Sequence, residues 1–246
     1  MSNIRLVMSA GNKNVLRMKT VIVVMIPVLL ICVVGVALLL CLLAIGPEME
    51  KASPDRAILE SYLGLTVYAS AFLTIGITLN STIFQTMVRE KARGNLAALL
   101  ATPMEVTDIW VGKSLALFIP GLVLTIVLAV LSWLIVNVIY FVPDFGFIIN
   151  WQMVVNSLVA VPLMYLLFGL LVHLIGFITK PATGNIIAQV FLPVMMNLAA
   201  QLVVRGVMDA NSWQFMLMNF GVAIACGVAI LAVKPKLVKE KIILSS

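Results

Sequence analysis

The sequence predicts an all-α polytopic membrane protein with six transmembrane helices and both termini in the cytoplasm. Three observations predict it. Apolar residues make up 63% of the 246-residue chain and charged residues 11%, against about 45–50% and about 25% in soluble domains. A soluble core of this size cannot hide that much apolar surface, whereas lipid accepts it. Six apolar runs reach the length of about 20 residues that a helix needs to cross the hydrocarbon core. The basic residues, finally, alternate between the connecting segments as the positive-inside rule requires.

The six runs are 21–45, 62–88, 114–141, 151–178, 185–204 and 213–233. Lipid cannot satisfy exposed backbone N–H and C=O groups, so each run is helical; a β-barrel would show short alternating segments instead. The first run is too long for a signal-peptide core. The outer loops, roughly 46–61, 142–150 and 205–212, are short and contain no external domain. Tyr140, Trp151 and Trp213 lie near the outer boundary and Trp110 near the inner one, as an aromatic belt expects.

Orientation follows from charge. The segments before span one, between spans two and three, between spans four and five and after span six carry Arg5, Lys13, Arg17, Lys19, Arg89, Lys91, Arg93, Lys113, Lys180, Lys234, Lys236, Lys239 and Lys241, 13 of the 16 basic residues. Only Lys51, Arg56 and Arg205 fall on the other side, beside Glu48, Glu50, Asp55 and Glu60. The basic side is therefore cytoplasmic, and the net charge of +6 reflects membrane topology rather than nucleic-acid binding. The domain layout is an interfacial basic segment at 1–19, a transmembrane domain at 20–233 and a basic cytoplasmic tail at 234–246. Within 1–19, Ile4, Val7, Met8, Val15 and Met18 approximate one helical face, interrupted by Gly11, which suits either a helix on the cytoplasmic leaflet or a partly ordered tail.

The cytoplasmic segment 89–113 holds the most information. Arg89, Glu90, Lys91 and Arg93 form a charge cluster, and Leu96, Leu99 and Leu100 follow at i, i+3, i+4 spacing, which predicts a short amphipathic helix at the membrane face. Thr102-Pro103-Met104-Glu105 reads as a second helix start, with Thr102 as cap, Pro103 in the first turn and Glu105 reaching back. The stretch 103–141 is too long for one span, so its first part is expected to run along the cytoplasmic surface, with a bend at Pro120-Gly121.

The run Arg89-Glu90-Lys91-Ala92-Arg93-Gly94-Asn95-Leu96-Ala97-Ala98-Leu99-Leu100-Ala101-Thr102-Pro103, followed by Gly112-Lys113, resembles the signature of ABC transporter type 2 permeases, loosely E-x-x-x-G-T-L-x-x-L-L-x-T-P and then G-K. Asn95 replaces the usual threonine and Ala97-Ala98 a commonly acidic pair. The resemblance implies a cytoplasmic coupling helix seated in a groove on a separate ATPase subunit, with Arg89, Glu90, Arg93, Gly94, Leu96, Leu99, Leu100, Thr102 and Pro103 as the coupling residues. It implies an exporter permease in a prokaryotic inner membrane, working with a second permease copy or paralogue. ATP and Mg would be held by the partner ATPase, and this chain would bind no cofactor. The cargo would be an amphipathic drug, a lipid, a peptide or an ion.

Other chemistry finds little support. Gly112-Lys113-Ser114 looks like the end of a phosphate-binding loop, but Thr107 stands where the first glycine belongs. No Ser/His/Asp set or carboxylate pair suggests an enzyme. No Asp or Glu falls inside the six runs, which counts against an ion-coupled carrier. His173, the single histidine, reads as packed and hydrogen-bonded, and no metal site is expected. Cys32, Cys41 and Cys226 all lie in apolar stretches and read as small apolar side chains.

Two spans carry polar residues every four positions. Span two has Thr66, Ser70, Thr74, Thr78 and Thr82, with Asn80 and Gln85 alongside; span five has Asn185, Gln189, Asn197 and Gln201, ending at Arg205. Hydroxyl residues at this spacing serve either close helix packing or a pathway. The amides of span five are costlier in lipid and must face protein or water, as a pathway or a dimer seam. Two rival functions stay open beside the exporter: an ATP-independent carrier or channel, and an assembly factor that recruits a soluble partner through 89–113.

Overall fold

The computed structural model describes residues 3–17, 19–92, 95–238 and 242; within them the side chains of 14–17, 19–22, 83–89, 91, 92, 95, 97 and 181 are left aside. The described chain is all helical: α1 (Asn3–Arg17), α2 (Lys19–Leu40), α3 (Gly46–Met49), α4 (Arg56–Ala92), α5 (Asn95–Leu100), α6 (Val106–Val136), α7 (Trp151–Val155), α8 (Val161–Ile178), α9 (Pro181–Val204) and α10 (Trp213–Val233). Six stretches are long and apolar enough to cross a membrane: Val23–Met49, Arg56–Thr82, Val106–Phe141, Trp151–Ile178, Ala182–Val204 and Trp213–Lys236. The chain is a multi-pass membrane protein. Acidic residues within these stretches keep to the ends: Glu48 closes the first, Glu60 lies in the second's opening turns and Asp108 in the third's.

Three of the spans are not uniform α-helices. Single π-turns occupy Cys41–Ile45, Asn137–Phe141 and Asn156–Ala160. They join α2 to α3, extend α6, and join α7 to α8. Each closes with an amide reaching back five residues, from Gly46 to Cys41, from Val142 to Asn137 and from Val161 to Asn156.

Alternating direction is visible in the packing at the two ends of the bundle. At the basic face, Trp110 near the start of α6 clusters with Leu174 and Ile178 at the end of α8 and with Ile230 near the end of α10, and the Trp110 indole donates to the Leu170 carbonyl at 3.1 Å. At the far face, the start of α4 meets the loop after α9: the Ala210 amide donates to Ser61 Oγ at 3.2 Å and the Asn211 amide group donates to the Glu60 carbonyl at 2.7 Å. The loop after α6 is held from both sides, since the Ile148 amide donates to Asn137 Oδ1 and the Ile148 carbonyl accepts from the Trp133 indole. Asn150 then caps α7 by accepting from the amides of Gln152 and Met153.

Helix α4 is the hub. It packs against α2, α6, α8 and α9, its contact with α6 being the broadest between any two helices. Its spanning window is 89% buried, whereas those of spans one, three and five are 22% buried. The side of α4 that meets α6 carries the hydroxyl stripe: Ser70 Oγ bonds to Ser132 Oγ at 3.0 Å, and Thr78 lies over Gly121. Small residues recur in the buried face of α6 at Gly121, Thr125 and Ala129, which lets the two backbones approach closely.

The structure corrects three expectations. Residues 89–92, placed after the end of span two, are the last turn of the 37-residue α4, which carries that span beyond its apolar run. The region 103–141 is not divided into a surface helix and a span; α6 runs unbroken from Val106 through Pro120 and into the π-turn, because 31 residues at about 1.5 Å each reach through the bilayer and past its surface. Thr102 does not cap the helix that follows. Its hydroxyl donates to the Leu99 carbonyl at 2.6 Å and so closes α5, while Glu105 takes the cap position of α6 without a side-chain bond.

A substitution tests the α4–α6 seam. A Cβ added at Gly121 would stand 3.1 Å from Thr78 Cγ2, whereas one added at Gly35 meets nothing within 4 Å. Gly121→Leu should destabilise the detergent-solubilised protein by about 1–3 kcal/mol through overpacking. Gly35→Ala should leave it unchanged or slightly raise it. Thermal unfolding followed by size-exclusion chromatography distinguishes the two.

Candidate functional site

The candidate site lies at the basic face, where α1, the end of α4, α5 and the first turns of α6 converge. Its central interaction is an ion pair: Lys113 Nζ donates to Glu90 Oε2. The two side chains are 13% and 26% exposed, and partial removal from water makes such a pair more sensitive to loss of one partner than a surface pair. The pair bridges a separation of 23 residues and ties the end of α4 to the start of α6, with α5 between.

Helix α5 is six residues long and turns its leucines inward. Leu96 and Leu100 are 2% and 3% exposed and belong to the bundle core, with Leu99 packed beside them. A single apolar side on so short a helix serves only one neighbour, and that neighbour is the chain's own bundle. Leu96 and Leu100 therefore anchor the helix rather than present it. The outward side is formed by Ala98, Ala101, Pro103 and Glu105. Of the other residues expected here, Arg93 and Gly94 and the side chain of Arg89 lie outside the described residues.

The N-terminal helix closes the junction from the side. A Cβ at Gly112 would meet Val7 Cβ at 2.9 Å and the Ile4 carbonyl at 3.0 Å, and one at Gly11 would meet Ala116 Cβ at 2.7 Å. Gly112 and Gly11 thus permit a close crossing of α1 over α6, and Gly11, expected to interrupt the amphipathic face, lies inside the continuous α1. Next to this crossing, His173 is buried with its Nδ1 at 2.6 Å from Ser114 Oγ and its ring edge-on to Phe177. It is a packed, hydrogen-bonded histidine, as its sequence context predicts.

The two polar stripes occupy different environments. Thr66, Ser70, Thr74, Thr78 and Thr82 are all buried, and each hydroxyl donates to the carbonyl four residues earlier at 2.6–2.9 Å. Their geometry is that of packing within the chain. Gln189, Asn197 and Gln201 point out of the bundle, and Asn185 is half-buried. Asn80 joins the two helices by donating to the Ala188 carbonyl at 3.3 Å; the Gln85 side chain lies outside the described residues. The stripe of span two thus lies inside the bundle, and that of span five largely on its outside.

A buried polar cluster escaped the sequence reading. Tyr68 Oη donates to Asn219 Oδ1 at 3.1 Å, and Asn219 Nδ2 donates to Asn156 Oδ1 at 3.0 Å. These residues link α4, α10 and the π-turn before α8. Tyr68 and Tyr165 also belong to an aromatic group with Phe72, Phe168, Phe191 and Phe215. Single asparagines inside apolar runs were the available signal, because an amide in lipid needs a protein partner.

No family model, no curated protein and no solved structure matches the chain.

The junction makes a measurable commitment. Replacing Glu90 or Lys113 by Gln should each cost about 1–3 kcal/mol, since the remaining charge is left partly buried. The double replacement should cost less than the sum of the two. Thermal shift of the four proteins in one detergent gives the coupling; additive losses would show that the pair does not tie α4 to α6.

Proposed function

We propose that the chain is the membrane-spanning subunit of an ATP-driven exporter of the ABC type 2 class, placed in a prokaryotic inner membrane with its basic face in the cytoplasm. The observation that carries this reading is the Glu90–Lys113 pair. These are the charged residues of the two separate parts of the signature, and the fold brings them together around α5. A partner that presses on α5 would act on spans two and three jointly. ATP and Mg belong to a separate ATPase chain in this reading, and the permease itself carries out no chemistry. Its outward side of small residues, Ala98 and Ala101, flanked by Pro103 and Glu105, suits seating in a shallow groove, while Leu96 and Leu100 hold the helix to the spans it must move.

The amide stripe supports a second permease copy. Gln189, Asn197 and Gln201 face outward from the chain, and amides facing hydrocarbon without a partner are costly. A second copy or paralogue covering span five would remove that cost and place the stripes at a seam. A channel or carrier built from one chain fits less well, because the hydroxyl stripe of span two is enclosed and bonded to its own helix. The cargo in this reading is an amphipathic drug, a lipid, a peptide or an ion.

Two experiments test the proposal. Ala98→Arg should leave yield and folding unchanged yet reduce the co-purifying ATPase by about tenfold or more, as a bulky charge at the centre of a small contact does. Recovery of the native chain from its own membranes without any ATPase would remove the basis for an ATP-driven role. With Cys32, Cys41 and Cys226 replaced by Ala, an Asn197→Cys variant should form a cross-linked dimer under mild oxidation, and a strictly monomeric product would rule out the span-five seam.

A further inference from the structure

At the far face, the end of α9 and the start of α4 enclose a cleft of about 410 Å³, within the range of small-ligand sites. Its wall combines apolar side chains, among them Val203, Val204 and Met208, with the Tyr62 ring and two charges, Arg205 and Asp209. The charges are the unusual part. Two of the three basic residues on this side are neutralised locally, Lys51 by Glu48 and Arg56 by Glu60. Arg205 and Asp209 line the same cleft and are both exposed, yet among the described residues neither has an ion-pair partner within 4.0 Å, including each other.

The backbone keeps them apart. Gly206, at φ +67°, ends α9 in the left-handed region, as glycine does after a helix. The loop is then fastened to α4 through Ala210 and Asn211. Asp209 Oδ1 accepts from the Asn211 amide at 2.8 Å, which fixes the carboxylate within the turn instead of leaving it to swing towards the guanidinium. The result is a positive and a negative group on one wall, unpaired with each other, where spans two and five end, next to apolar side chains and an aromatic ring.

We infer that this cleft binds a zwitterionic phospholipid of the far leaflet. Arg205 would take the phosphate, through the planar fork of donors that matches its oxygens. Asp209 and the face of Tyr62 would take the ammonium group. Val203, Val204 and Met208 would contact the first methylenes of an acyl chain. Phosphatidylglycerol offers Arg205 the same phosphate but brings a neutral glycerol to Asp209 in place of an ammonium, which leaves the carboxylate without its counter-charge, so the site should discriminate by headgroup. The inference stands independently of the transport reading, since it requires neither a second copy nor an ATPase.

Native mass spectrometry of the delipidated full chain tests it, with phosphatidylethanolamine and phosphatidylglycerol of identical acyl chains added in equal amounts. The wild type should retain one phosphatidylethanolamine in preference to phosphatidylglycerol by about fivefold, the ratio that one modest ionic contact supplies. Arg205→Gln should abolish retention of both. Asp209→Asn keeps the oxygen that accepts from the Asn211 amide and should move the preference towards phosphatidylglycerol. Val204→Trp, which keeps both charges but fills the cleft from an exposed wall position, should reduce phosphatidylethanolamine retention and guards against a charge variant that fails to fold. Equal retention of the two lipids by the wild type would overturn the inference, as would an unchanged preference in Asp209→Asn or unchanged retention in Val204→Trp.

Discussion

The hydrocarbon core supplies no hydrogen-bond partners, and the architecture follows from how one helix meets that constraint. Helix α4 carries five hydroxyl side chains along a single stripe, each bonded to its own backbone one turn earlier. Satisfied in this way, the stripe behaves as a smooth, small-residue surface, and α6 packs against it through Gly121, Thr125 and Ala129. A helix that satisfies its own polar groups can be surrounded on every side, and α4 is: α2, α6, α8 and α9 all rest on it. The more apolar helices around it then face the lipid, with exposed side chains such as Ile31, Leu43, Val127 and Leu231.

The two ends of the bundle share one kind of fastening and differ in what is added to it. At the far face the fastenings run between side chains and backbone, at Asn137 and Trp133 for one loop and at Ser61 and Asn211 for another. Such bonds fix a loop in one conformation. At the basic face one such bond, from the Trp110 indole to the Leu170 carbonyl, joins α6 to α8, and the Glu90–Lys113 pair and the close crossing of α1 over α6 at Gly112 and Gly11 are added to it. An ion pair is less directional than a hydrogen bond to a fixed carbonyl, and a glycine crossing carries no side chain to interlock. The basic face thus adds charge and close contact to the directional bonds that both ends share.

Much of the fold was legible because hydrophobic length is a strong one-dimensional signal. The fourth and sixth spans, beginning at Trp151 and Trp213, coincide with their apolar runs. The second and third do not, because apolarity marks the lipid and not the helix: α4 continues to Ala92 and α6 begins at Val106, both in polar sequence. Thr102 illustrates a different limit. A threonine before a proline suits the start of one helix or the end of another, and only the position of Leu99 in space decides between them. The same holds for the candidate site. Spacing placed Leu96, Leu99 and Leu100 on one side of α5 but could not say that this side faces inward. The pairing of Glu90 with Lys113 depends on where two long helices cross, which no local pattern records. The Tyr68–Asn219–Asn156 cluster joins residues 151 and 63 positions apart and was invisible for the same reason.

The three π-turns all sit in the far-face half of their spans, at Cys41, Asn137 and Asn156. Each inserts one residue into the helical repeat, and one residue corresponds to a rotation of about 100°. On either side of such a turn, the same helix presents differently phased faces to its surroundings. Spans one and four are therefore dislocated rods, each with a long helix on one side of the turn and a short one, α3 or α7, on the other, while in span three the turn ends the helix. In both, the long helix packs on α4 and the short one adjoins a far-face loop. A single-residue deletion within the turn of span one or span four would restore a regular helix and at the same time rotate one of its two parts away from its partners. In these spans, regular helical geometry and correct packing are mutually exclusive.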